Sequence, residues 1–203
     1  MSTLINISNR ACDLLDKSRA LDFLGPLALR IYLAPIFILA GANKLSHIES
    51  VGWWFASLGI PAPTLMAYVA GLTEFVGGCC LLLGLAVRWF ALPLMFAMIV
   101  AAVTAHWENG WHVLPEKELM MPWEWKKEKI EQAIIRKEYI TKILEVHTDY
   151  DWVTEAGPVT ILKNGIEFAA TYFFMLLMLF FTGGGRYVGF DYWLARRFRT
   201  IPA

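Results

Sequence analysis

Four apolar runs, each long enough to cross a lipid bilayer, limit what this chain can fold into. A helical crossing needs about 20 mostly apolar residues, and residues 24–45, 63–84, 88–106 and 165–183 meet that length. Backbone amides and carbonyls find no water inside a bilayer, so runs of this kind become helices. We therefore expect an all-α integral membrane four-helix bundle, built as a single membrane domain over residues 1–203. Composition agrees: 57% of the residues are hydrophobic, 18% are charged and the mean hydropathy is +0.48, too apolar for a soluble domain of this size. Pro61 and Pro63 mark the start of the second run and the Gly183-Gly184-Gly185 triplet closes the fourth,. Only a few residues around Arg88 separate the second and third runs, so these two form an antiparallel hairpin.

Lys and Arg placement sets the orientation. Positive charge gathers near the N-terminus (Arg10, Lys17, Arg19), at Arg88 and in the tail (Arg186, Arg196, Arg197, Arg199), whereas residues 46–62 hold no Lys or Arg. Four crossings return the chain to the side it started from, which places both termini in the cytoplasm. Residues 107–164 then form an extracytoplasmic insertion, and the stretch from Glu108 to Asn164 carries 8 Lys/Arg against 11 Asp/Glu. Its tryptophans, Trp107, Trp111, Trp123, Trp125 and Trp152, suit a membrane interface,. Ile130, Ile134, Ile140, Ile143 and Leu144, set among Lys and Glu, predict one amphipathic helix between Trp123 and Val146,.

Residues 1–22 mix Leu14, Leu15 and Leu21 with charged residues, which fits a short amphipathic segment or a tail, without the apolar core and cleavage site of a signal peptide,. The net charge of zero gives no basic surface for nucleic acid. The three cysteines, Cys12, Cys79 and Cys80, make no disulfide framework,; the vicinal pair reads as small apolar residues or as a redox-active vicinal disulfide. No phosphate-binding loop, nucleophile elbow or C-x-x-C motif occurs, and no residue is assigned a catalytic role,.

Ionisable groups within a crossing are costly and turn inward toward partners. Arg30, Phe37, Gly41 and Lys44 share one face of the first run, and Glu74 shares a face of the second with Gly71 and Gly78,. If the helices start at a common plane, Arg30 lies roughly 9 Å and Glu74 roughly 15 Å inside the cytoplasmic end. That depth pairs Arg30 with Glu74, and leaves Lys44, near the outer end, to Glu167.

The third run stops at AAVTAHWENGW, where His106, Glu108 and His112 sit just beyond the apolar residues, with Glu167 and His47 at the same expected level. His and carboxylate side chains suit zinc, copper(II) or iron, so His106, Glu108 and His112 are a candidate metal site. The spacing is not the H-E-x-x-H of a zinc helix, and Asn109-Gly110 interrupts any helix between the two histidines,.

The strings LRIYLAPIFILAGANKL and AGLTEFVGGCCLLLGLAVRW, with the Arg and G-x-x-K of the first and the E-x-x-G-G…G-L-x-x-R of the second, resemble the DoxX family of small four-helix inner-membrane proteins. HWENGW, NGIEFAATYF and the tail GGGRYVGFDYWLARRF look like its HvfX-type subgroup, which is associated with maturation of ribosomally made copper-binding peptides. The resemblance implies the fold, the inner-membrane location and the topology, and links the chain with redox tasks. It implies an accessory protein that handles a metal (copper)-binding peptide, with the bilayer and that peptide or its biosynthetic enzymes as partners. Alternatives are a membrane subunit of a quinone-linked oxidoreductase, or a small transporter working through its intramembrane charges. A metal ion or a quinone is the implied cofactor.

Overall fold

A computed structural model describes residues 16–17, 19–116, 118 and 120–198. Most of the expected N-terminal amphipathic segment, with Cys12, and the tail residue Arg199 lie outside the described residues. Among those described, the regular structure is entirely helical. The helices are α1 (Leu24–Ser46), α2 (Ile48–Ser57), α3 (Pro63–Leu83), α4 (Val87–Ala101), α5 (Lys127–His147), α6 (Tyr150–Val153), α7 (Glu167–Thr182) and α8 (Phe190–Phe198). The described residues fall into two compact units, one drawn from those up to Phe96 and from Phe174 onward and the other from those between Ala97 and Phe173.

In the first unit α1 and α3 run antiparallel in close contact, because glycines remove the side chains that would hold them apart. A Cβ on Gly41 would come within 2.8 Å of the Phe75 Cα, and one on Gly78 within 2.8 Å of the Ile38 backbone nitrogen. Leu33, Ala34, Phe37 and Leu81 fill the space between and beside them. Residues 46–62, between the first two expected crossings, contain α2, which meets α3 where Gly52 approaches Thr64. A ten-residue amphipathic helix is too short for its period to stand out from a Trp-rich loop,.

Three helical runs, Arg19–Ser46, Pro63–Leu83 and Val87–Asn109, are long and apolar enough to cross a membrane. Their outward faces carry bare apolar residues, among them Leu39, Leu65, Leu72 and Phe96. Apolar surface on this scale needs a hydrocarbon solvent. The fourth apolar helix, α7, has 16 residues. Cys79 and Cys80 are free thiols on consecutive positions of α3, where side chains diverge by about 100°, so the vicinal disulfide is not formed.

In the second unit α4 gives way to a π-helical turn, Ala102–His106, and a 3-10 turn, Trp107–Asn109. The amphipathic helix begins at Lys127, later than Trp123, because Glu124 and Lys126 lie in the turn before it. Ile130 and Ala133 are its buried residues, while Ile135, Tyr139, Ile143 and Val146 are exposed.

Candidate functional site

The expected Arg30–Glu74 pair is not formed. Arg30, 1% exposed, donates from Nε to the Leu81 carbonyl at 2.6 Å, from Nη2 to Leu82 at 2.9 Å and from Nη1 to Gly184 at 2.6 Å. The last carbonyls of a helix have no partner within it and form its negative end, so a guanidinium with five donors suits the close of α3 better than a carboxylate seven residues away, about 10 Å along the axis. Gly84 completes the arrangement. Its φ of +68° is left-handed, and a Cβ there would crowd both Arg30 and the Gly189 Cα,.

Glu74 instead accepts from Lys44 Nζ at 2.5 Å, the acid 6% exposed. The common-plane assumption misjudged this register. The glycine contacts set it, and they bring Lys44 beside Gly71, one helical turn from Glu74,. Glu167, expected to meet Lys44, is occupied within the other unit, where its Oε2 accepts from the Val113 amide at 3.0 Å. Asp191 and Arg88 make two further contacts that the sequence does not show. Asp191 accepts from the Ala86 and Val87 amides at 2.7 and 3.0 Å and so caps the start of α4, and Arg88 donates to the Phe181 carbonyl near the end of α7,.

The candidate metal residues turn to different partners. The His106 ring meets the Asn164 carbonyl through Nδ1 at 3.0 Å, Glu108 pairs with Lys126 at 3.0 Å, and His112 faces Glu124. His47 meets the Asn43 carbonyl in the first unit. Among the described residues no group of three or more His, Cys, Asp or Glu side chains is placed to hold a metal ion.

What the second unit does assemble centres on Glu124, which the sequence reading passed over. Its carboxylate, 4% exposed, accepts from Lys163 Nζ at 2.5 Å, His112 Nδ1 at 2.8 Å, the Lys126 amide at 2.7 Å, and the Trp111 and His112 amides at 3.1 Å. The Met121 amide donates to His112 Nε2 at 3.1 Å. Both ring nitrogens are thus engaged, Nε2 as the acceptor and Nδ1 toward the carboxylate,. Burial alone would raise the Glu124 carboxyl, but the Lys163 and His112 side chains and the Lys126 and His112 amides hold it down at about 2,. Gly110 makes this possible, since its φ is +81° and any Cβ there would strike the Glu124 carboxylate and Lys163.

The same segment receives the start of α7. The Ile166 and Glu167 amides, orphan donors at a helix N-terminus, donate to the Gly110 and Trp111 carbonyls at 2.9 and 3.0 Å. Gly165 and Lys163 donate to His112 and Val113 at 3.1 and 2.8 Å. HWENGW and the NGIEF string, more than fifty positions apart in sequence, thus form one hydrogen-bonded site. The clues were Glu124 between two tryptophans and Lys163 as the lone charge in its stretch.

The DoxX family model matches residues 25–107, under half of the chain. The chain is 36% identical over 86 residues, 40% of its length, to the Bacillus subtilis protein named "Putative oxidoreductase CatD", covering 63% of that protein. It is 35% identical to "Uncharacterized membrane protein Rv3486" of Mycobacterium tuberculosis over 38% of this chain and 48% of that one. It is 32% identical to "Inner membrane protein YphA" of Escherichia coli over 39% of this chain and 57% of that one. The matched stretch spans between about half and two thirds of the curated relatives' lengths. No solved structure matches significantly. The chain is a membrane protein with a DoxX-like segment, and the Glu124 site is built mostly from residues that follow that segment.

Proposed function

We propose that this is a DoxX-type inner-membrane protein that acts as an accessory in the maturation or handling of a metal (copper)-binding peptide. In this reading residues 165–183 make a fourth crossing, both termini are cytoplasmic and residues 107–164 are extracytoplasmic. One observation carries it: the HWENGW and NGIEF strings, two of the three that resemble the HvfX-type subgroup, converge on a single site around Glu124. The test is deletion of the gene in its source organism, followed by mass spectrometry and metal analysis of small secreted metal-binding peptides. The expected result is a peptide that is unmodified or depleted; an unchanged mass, amount and metal content would overturn the reading.

A second reading, a membrane subunit of a quinone-linked oxidoreductase, is favoured by the similarity to the Bacillus subtilis protein named as an oxidoreductase. Quinone reduction by membranes that depends on the chain would select it over the first.

A further inference from the structure

The first unit holds a groove of about 1270 Å³ between the start of α1, the start of α4, the end of α7 and α8. Its walls are apolar, formed by Phe23, Leu29, Trp89, Met178, Leu194 and Phe198. Its charged lining comes from Arg88, Arg186, Asp22 and Asp191. Asp191 is committed to the Ala86 and Val87 amides, and Arg186 is paired with Asp22 at 2.8 Å, both partners well exposed. Arg88 spends one donor on the Phe181 carbonyl and has no carboxylate partner among the described residues. The same helix α8 also carries Arg196, over the Trp193 ring, and Arg197, over the Phe198 ring, neither of them in the groove's lining.

The groove's lining thus carries two arginines and two aspartates, and with both aspartates engaged Arg88 is left as the cation without a carboxylate, at one end of an apolar groove beside helices long enough to cross a membrane. The volume exceeds the roughly 300–1,000 Å³ of sites for drug-sized ligands, and apolar walls beside the Arg88 guanidinium suit a molecule with a hydrocarbon tail and an anionic head. Arginine clusters at the ends of crossings attract anionic lipids electrostatically. We propose that this groove binds one anionic phospholipid, with Arg88 and Arg186 at the phosphate and the acyl chains along Leu29, Trp89 and Leu194. The Asp22 carboxylate competes with the phosphate for Arg186. This site is independent of the peptide reading above, since it needs only the membrane location.

Native mass spectrometry of the full chain in detergent, titrated with phosphatidylglycerol or with phosphatidylcholine of the same acyl chains, tests the site. We expect one phosphatidylglycerol to be retained per chain and phosphatidylcholine to be lost. Arg186→Gln should weaken retention about fivefold, the effect of one basic residue near a lipid surface, and Asp22→Asn should strengthen it by a similar factor. Arg88→Gln should abolish retention. Should that variant fail to fold, the two exposed positions still decide, in opposite directions. Equal retention of both lipids, unchanged retention in the Arg186 and Asp22 variants, or displacement by millimolar inorganic phosphate would each overturn the proposal.

Discussion

Glu124 and Glu74 are both buried carboxylates bonded to a lysine Nζ at 2.5 Å, yet their surroundings differ in kind. Glu124 also accepts from a histidine ring and three backbone amides, and it joins segments around residues 111, 124 and 163. Glu74 has Lys44 as its partner among the described residues, within a helix–helix contact that the glycines already fix. A carboxylate saturated by donors is a fastening, since each donor needs it and removal strands them all. A carboxylate with one partner in a membrane can instead take up a proton when the partner goes. The first holds the segments of the proposed site together. The second is a single ion pair within one helix–helix contact.

Substitutions should separate the two. Glu124→Ala leaves the buried Lys163 ammonium and three amides without their acceptor, and should cost about 3–5 kcal/mol in denaturant unfolding. Acid should reproduce part of that loss. The folded carboxyl, at about 2, lies below its ordinary value of 4.5. Its contribution is therefore complete above pH 4.5 and fades as pH falls from there through about 2, a total of about 3 kcal/mol. Stability measured across that range should drop in the native chain and stay flatter in Glu124→Gln. Gly110→Ala, which forces a side chain into the carboxylate at a left-handed φ, should cost about 2 kcal/mol on the same readout. Lys44→Met should cost about 1–2 kcal/mol, and Lys44→Met with Glu74→Met should return to within about 1 kcal/mol of the native chain, because apolar side chains replace a buried pair well. If the double variant is no more stable than the single one, the contrast drawn here between pair and fastening fails.

Much of this organisation was legible in the sequence, because hydrophobic length is a local property. The bounds expected at 24–45 and 63–84 lie within one residue of α1 and α3. The helix after Trp123 was also legible from its period, though not its start. The ion pairs were not legible, because depth counted from helix ends ignores the register that Gly41, Gly71 and Gly78 impose. Arg30 was read as needing a carboxylate because carbonyls at a helix end have no sequence signature. The metal reading of His106, Glu108 and His112 took nearness in sequence for nearness in space. In the fold, Gly110 and the Glu124 carboxylate turn the backbone so that each of the three faces its own partner.

Hydrogen exchange at the amides of residues 110–113 and 163–167, compared between the native chain and Glu124→Gln, tests most directly whether HWENGW and NGIEF form one cooperative site. Both strings should lose protection together and by the same factor, while residues 24–45 and 63–83 keep theirs. Loss in one string without the other, or no loss in either, would contradict the claim that Glu124 fastens them.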